Sequence, residues 1–502
     1  NRRGSCALSR LENFPVYRVI VLVHALPFLA LVHARYMRPK RAFSSAILPT
    51  AVPGQAHIAI LAGNLSLQFR PSEEAAVHIE QLSQQDIYRH LEALECRYNA
   101  HAERQLSLDL TRGKPGSEQL DLCNHLDGIL GGGYRSATGI DVRNYGGLDG
   151  LSEARQLFST MLGVAPENVL IGGNASLTLM YTVMDFALSV GLRGPATAWG
   201  NSDEVRFLCP VPGYDRHFAI CEHLGIEMVP VPLLATGPDM DVVEKLVRED
   251  PCIKGIWCVP RFSNPTGCVY SDDTVERLAK LGTSASEHFL VMYDNAYAVH
   301  SLYDDDAALA NISDYCQQHG TSDSVFQFGS TSKITFAGAG VAFLASSADN
   351  LEAFKKHLSF QSIGPDKVNQ LRHVKLLQDA DGIAAHMRKH ADILRPRFET
   401  VLEILDRELA DTGMGEWLAP RGGYFISFNT RPGLAKQVVR LAADIGVALT
   451  PAGATFPYGN DPLDSNIRLA PSFPSLEEVR ETAEAFVVCV KLATLRQQLA
   501  KS

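Results

Sequence analysis

From residue 82 onward the apolar residues fall into two rhythms. Ile87, Leu91, Leu94 and Tyr98 recur at helical spacing and predict an amphipathic helix over 87–102 that leads into the short apolar run 106–110. After Asp149 the rhythm changes to short β-rich runs at 168–171, 206–209, 227–231, 255–259, 288–293, 325–328 and 341–344, separated by segments of helix length. Nearly continuous apolar strands that alternate with helices predict an α/β fold: a mostly parallel seven-stranded sheet covered by helices on both faces. Past about Pro396 a helical stretch carries Phe398, Val401 and Leu405, and 422–428 alternates as a strand, so a smaller α+β unit is expected beside the sheet.

The first eighty residues break from this pattern. No acidic residue stands between Glu12 and Glu73, whereas Arg18, Arg35, Arg38, Lys40, Arg41 and Arg70 do, which is the composition of a targeting segment. The apolar stretch 16–32 is interrupted by Arg18, His24 and Pro27 and reads against a membrane span. The stretch from Met37 through Ser44, Ser45 and Ala46 has the Arg- and Ser-rich look of an organellar presequence. The expectation is therefore translation from near Met37, removal of the peptide and a mitochondrial or other organellar location, with the cytoplasm as the alternative. The expected division is 1–81 as this extension, 82–145 as the start of the smaller domain and a dimer arm, 146–395 as the large domain, and 396–502 as the rest of the smaller one.

Composition narrows the chemistry. The chain has 502 residues, 46% of them hydrophobic, and a formal net charge of −10, so nucleic acid is not an expected partner. Ten cysteines are scattered without a Cys-x-x-Cys pair and indicate neither a disulfide framework nor a metal site.

Ligands of parallel sheets bind at the carboxyl ends of the strands, and the unusual polar residues fall there. Gly172-Gly173-Asn174-Ala175-Ser176 follows the first strand and opens a helix: a phosphate cradle of free N–H groups, or a plain turn. Tyr214 follows the second and reads as a stacking ring or a core aromatic. Asn264 sits in Ser-Asn-Pro-Thr-Gly, Asp294 ends an apolar strand where a carboxylate needs a cationic partner or a helix to cap, and Lys333 ends Gly-Ser-Thr-Ser-Lys as a Schiff-base lysine or a solvated one. Taken together they ask for one ligand with a protonated ring nitrogen, a ring oxygen, a phosphate and an aldehyde, which is pyridoxal 5'-phosphate.

With Asn264, Asp294 and Lys333 spaced by 30 and 39 residues, the chain resembles the fold-type-I pyridoxal-phosphate enzymes of the aspartate aminotransferase superfamily. Leu108 to Pro115 (Leu-Asp-Leu-Thr-Arg-Gly-Lys-Pro) and Gly329 to Gly340 carry the resemblance to its aspartate aminotransferase-like class, which extends over about 82–495. The resemblance implies that Lys333 attaches the cofactor, Asp294 pairs with the pyridinium nitrogen, Asn264 and Tyr297 bind the ring hydroxyl, and Tyr214 stacks on the ring. It further implies that Asn174, Ala175, Ser176, Ser330 and Ser332 hold the phosphate, that Tyr145 reaches the phosphate of a neighbouring subunit in a homodimer, and that Arg468 and Gly113 receive the substrate α-carboxylate.

One departure stands out: the arginine that the family places shortly after the lysine is missing, because 334–341 contains no cation. The implied activity is a ping-pong transamination from an L-amino acid, aspartate or glutamate favoured, to a 2-oxo acid such as 2-oxoglutarate. A second cation would hold the side-chain carboxylate of such a substrate, and Arg112, Arg135, Arg143 and Arg261 are the candidates. The alternatives are a pyridoxal-phosphate lyase, an alanine or aromatic transaminase, and an amino-acid-sensing regulator, for which 1–81 shows no winged-helix pattern.

Overall fold

The computed structural model describes residues 77–111, 113–304 and 308–501, so the expected presequence and the interrupted apolar stretch lie outside the described residues. Glu73–Ser502 forms one compact unit. Across its main sheet the strands run Val169–Ile171, Ala342–Ala345, Val325–Ser330, Leu290–Asp294, Ile253–Cys258, Arg206–Val211 and Glu227–Leu234, with the two-residue strand Gly237–Pro238 folded back on the rim. All seven expected strands are present, within a few residues of their expected limits. Ala342–Ala345 is antiparallel to both of its neighbours, and the strands from Val325–Ser330 to Glu227–Leu234 are mutually parallel. Pro230 and Pro232 lie in the strand nearest the rim, where a missing N–H is tolerated.

Successive strand residues point to opposite faces, and here both faces are buried. Phe207, Trp257, Leu290, Met292 and Phe328 pack on one side under the helices Ser176–Ser189, Asp215–His223 and Ala348–Leu358. Leu208, Ile256, Val291 and Val325 pack on the other with Val243, Leu278 and Ile312 of the helices Met240–Glu249, Asp272–Lys280 and Ile312–His319. Two-sided burial is why these strands read as unbroken apolar runs.

A second core joins the two ends of the unit. The helix Gln84–Glu103, with Ile87, Leu91 and Leu94 inward, packs against Leu476–Lys501, which also packs against the long helix Ala380–Leu409. This core also covers a three-stranded antiparallel sheet, Gly415–Trp417, Ile426–Thr430 and Asn466–Leu469, and Leu108–Asp109 pairs in parallel with Val447–Ala448.

Two local expectations differ from the structure. The strand placed at 422–428 begins at Ile426 and runs to Thr430, because Gly422 is wedged against Phe262 and the His300 carbonyl and Gly423 takes φ +82. The stretch around Phe398 belongs to a single 30-residue helix that runs through Pro396, so the division placed between 395 and 396 falls inside it. Proline normally ends a helix, but thirteen buried side chains hold this one in place on both sides of Pro396.

At the centre of the sheet Gly255 sits against the Phe207 ring, and a Cβ there would lie 2.5 Å from the Leu290 carbonyl oxygen. Gly255→Ala is expected to lower stability by about 1–3 kcal/mol through overpacking, seen as a lower urea midpoint at unchanged m.

Candidate active site

The carboxyl ends of the parallel strands converge on one cleft. Tyr214 caps the helix that follows Arg206–Val211, Asn264 lies in the turn after Ile253–Cys258, Asp294 is the last residue of its strand, and Lys333 follows Val325–Ser330. Tyr214, Asn264, Asp294, Tyr297 and Lys333 line one inner pocket. Tyr214, Asn264, Tyr297 and Lys333 also line a wider outer cleft with Thr111, Gly113, Lys114, Asp215, Arg216, Phe425 and Arg468. Strand ends therefore supply the floor, and the antiparallel sheet supplies Arg468.

Asp294 is 2% exposed. Its Oδ2 lies 3.0 Å from Nε2 of the equally buried His217, whose ring stacks on Trp257 at 4.2 Å. Oδ1 is buried and has no hydrogen-bond partner. A carboxylate oxygen left bare in a pocket is costly, and it is met by a donor brought in with a ligand. The sequence offered no signal for His217 or Trp257, because only the fold brings Trp257 beneath the histidine ring.

Lys333 is half-buried, with its Nζ 4.9 Å from the centre of the Tyr297 ring. Burial of the amine holds it below the ordinary lysine value, Asp294 opposes this, and Arg468 adds to it. Burial, reinforced by nearby acidic groups, raises both the Tyr214 and Tyr297 phenols, which remain protonated donors. Behind the lysine a buried polar network grips the backbone. His300 Nε2 and Tyr424 Oη each approach the Lys333 carbonyl at 3.3 Å. Gln119 Nε2 donates to Tyr424 Oη at 2.8 Å and to His390 Nδ1 at 3.0 Å, and His386 Nε2 donates to the Ile334 carbonyl at 2.7 Å.

Arg468 is 6% exposed. Its Nη1 donates to Asn264 Oδ1 at 3.2 Å and to Asp215 Oδ1 at 3.1 Å, and its guanidinium lies 4.9 Å from the centre of the Phe425 ring. Gly113 is needed there for a local reason: a Cβ would run into the Phe425 ring, 2.6 Å from its Cε1.

Three of the four arginines expected to meet a side-chain carboxylate are engaged elsewhere. Arg143 pairs with Asp141 on the surface, Arg135 donates to the Gly139 carbonyl, and Arg261 donates to the Ala298 carbonyl and Ser301 Oγ while lining a different cavity. Arg112 lies outside the described residues. Among the described residues, Lys114 and Arg216 line the cleft in addition to Lys333 and Arg468; they are neighbours in sequence of Gly113 and Tyr214, and that adjacency was the signal available.

Ala175 precedes the helix Ser176–Ser189 without a side-chain cap; the Thr178 N–H donates to the Ala175 carbonyl at 3.2 Å, and the N–H groups of Ser176 and Leu177 are left to other partners. Ser330 Oγ donates to Ser332 Oγ at 3.1 Å, and Ser332 Oγ donates to the Asn174 carbonyl at 3.2 Å, which ties this turn to the lysine loop. The cation-free stretch forms the turn Ala337–Ala339, held by Asn174 Nδ2 on the Gly338 carbonyl and by Asn369 Nδ2 on those of Ala339 and Gly340. Tyr145 stands apart from this group, 81% exposed.

Comparison with known proteins gives a concordant result. Residues 82–502 match the family model described as aspartate amino-transferase. An aspartate aminotransferase of Corynebacterium glutamicum is 46% identical over 403 residues, covering 80% of this chain and 93% of that protein. The crystal structure of an aspartate transaminase from the same organism superposes with a TM-score of 0.81 at 44% identity, covering 84% of this chain and all of that one. The α-aminoadipate aminotransferase of Thermus thermophilus shares the fold at a TM-score of 0.64 and 21% identity, over 84% of this chain and 97% of that one.

The network behind Lys333 makes a pH prediction. Burial first, then the nearby Lys333 charge, holds His300 down at about 3, and burial followed by His386 holds His390 at about 4, both from 6.5. Both folded values are depressed, so below 6.5 the unfolded chain takes up protons that the folded chain refuses. Their contribution is complete above 6.5 and is lost as pH falls toward 4 and 3, at up to about 1.4 kcal/mol per pH unit for each histidine. Urea midpoints measured from pH 7 to pH 4.5 are expected to fall, and His390→Gln is expected to flatten that slope.

Proposed function

The chain belongs to the aspartate amino-transferase family, whose fold-type-I members depend on pyridoxal phosphate; on that premise we propose that it is an aminotransferase for dicarboxylic amino acids, aspartate or glutamate, with 2-oxoglutarate as amino acceptor. The observation that carries this reading is the pairing in one pocket of the buried, unpartnered Asp294 Oδ1 with the desolvated Lys333 amine, below a buried arginine.

The residues present fit the cofactor. The bare Asp294 oxygen matches a protonated ring nitrogen, a charge-assisted bond that would compensate the buried carboxylate. Lys333 would hold the aldehyde carbon, Asn264 and Tyr297 the ring oxygen, and Tyr214 one face of the ring. Asn174, Ala175 and Ser176 at the uncapped helix end, with the hydroxyls of Ser330 and Ser332, would hold the phosphate. The missing arginine leaves that phosphate to helix N–H groups and hydroxyls. When bound, the cofactor supplies an electron sink next to the substrate Cα.

The protein's own groups do the rest. Arg468 grips the α-carboxylate through its planar fork, and Asn264, which accepts from this arginine and would also meet the ring oxygen, would keep clamp and ring in register. Lys333 acts as the general base on the Cα proton: its lowered pKa keeps a larger share of the amine neutral near neutral pH. Among the described residues of the outer cleft, Lys114, Arg216 and Arg468 stand beside one carboxylate, Asp215. The surplus positive charge suits a substrate with two carboxylates.

The proposed assembly is a homodimer with shared active sites. Tyr145 at 81%, Phe360 at 84% and Ile363 at 64% exposure flank the point where Gly364 touches Gly146, and Lys367 Nζ donates to the Gly146 carbonyl there. Clustered exposed apolar side chains of this size favour an interface, and in it Tyr145 would reach the phosphate of the neighbouring subunit.

Lys333→Ala is expected to lose the visible absorption of lysine-bound cofactor and to lower kcat by about 10²–10⁴-fold or more; turnover at the wild-type rate would refute the assignment. In an amino-donor panel with 2-oxoglutarate, read by 2-oxo acid release, aspartate or glutamate is expected to lead, and turnover without a 2-oxo acid would instead indicate a lyase. Arg216→Ala is expected to lower kcat/KM for aspartate about tenfold, ~1.4 kcal/mol, with alanine little changed.

A further inference from the structure

The arginine that clamps the substrate already holds a carboxylate. Asp215 is the first residue of the helix Asp215–His223, directly after Tyr214, and its Oδ1 lies 3.1 Å from Arg468 Nη1. Its Oδ2 lies 3.7 Å from Arg216 Nε. The other groups that receive hydrogen bonds from Arg468 are neutral, Asn264 Oδ1 at 3.2 Å and the Thr111 carbonyl at 3.5 Å, and its Nε has no partner. Among the described residues Asp215 is thus the carboxylate that compensates this buried guanidinium. The Asp215 side chain is 30% exposed, so it is free to turn outward, whereas Arg468 at 6% is not.

A buried guanidinium with no carboxylate is strongly destabilising. A substrate carboxylate arriving on the same fork places a second negative charge within a few ångströms of the first. The two cannot share Arg468 without repulsion, and Arg216, already 3.7 Å from Asp215 Oδ2, keeps the displaced group paired.

Building on the aminotransferase reading, we propose that Asp215 is an internal competitor for the α-carboxylate subsite: it occupies Arg468 while the site is empty and is exchanged for the carboxylate of the incoming substrate. No bond to carbon changes in this step; one ion pair replaces another. The exchange sets substrate affinity, because the binding-competent arrangement is the fraction of molecules in which Asp215 has turned away. It also keeps the clamp folded between turnovers.

The test uses the cofactor-loaded protein with succinate, a dicarboxylate that has no amino group to react. Asp215→Asn, with Asp215→Ala as a second variant, is expected to bind succinate about tenfold more tightly by calorimetry and to show a lower KM for the amino donor at a kcat within about threefold. Without ligand the variants are expected to melt below the wild type, and saturating succinate is expected to close that gap. Unchanged or weaker succinate binding, or a melting deficit that succinate does not narrow, overturns the proposal and leaves the aminotransferase reading intact. Failure of succinate to bind the wild type and both variants would remove Arg468 as a carboxylate clamp, and both readings would fall.

Discussion

A carboxylate with half of its hydrogen bonds unmet governs this structure. Asp294 lies at the end of a strand whose five residues are all buried, one oxygen held by His217 and the other facing the pocket without a donor. Such a group persists only where the surroundings over-determine it. The stack of His217 on Trp257 fixes the histidine, the sheet fixes Trp257, and the pairing of Leu290–Asp294 with both parallel neighbours fixes the aspartate itself. The strain is local, and the fold that supports it is large.

Lys333 is positioned on the same principle from a different direction. Its side chain faces the pocket while its carbonyl is held from behind by His300 and Tyr424, and Gln119 and His390 extend that grip to the helix Ala380–Leu409. Neutral histidines suit this place because a charged one would repel the amine they position. The two halves of the site meet at Asn264, which lines the inner pocket and also accepts from Arg468. One asparagine therefore links the large sheet to the antiparallel sheet that carries the arginine.

Much of this was legible in the chain. The seven strand runs were readable because burial on both faces leaves no polar alternation to confuse them. Asn264, Asp294 and Lys333 stood out because strand ends put polar residues beside apolar runs, whereas Tyr297 came from the family resemblance alone. Less legible was the 30-residue helix through Pro396: local rules place a boundary at a proline, and tertiary packing overrode it. The strand expected from Gly422 failed because two glycines that look like part of an alternating pattern are instead pinned by Phe262.

The substrate cations show where sequence reasoning stops. Arg135, Arg143 and Arg261 were as plausible along the chain as Lys114 and Arg216, and only folding shows that the first three are engaged away from the cleft. By itself the sequence determined the layered α/β fold and the residue types of the site, because apolar periodicity and strand-end chemistry are local properties. Tertiary structure alone decided the contacts between residues far apart in the chain: His217 on Asp294, Tyr424 behind Lys333 and Asp215 on Arg468. Their separations along the chain are 77, 91 and 253 residues, and no local propensity reaches that far.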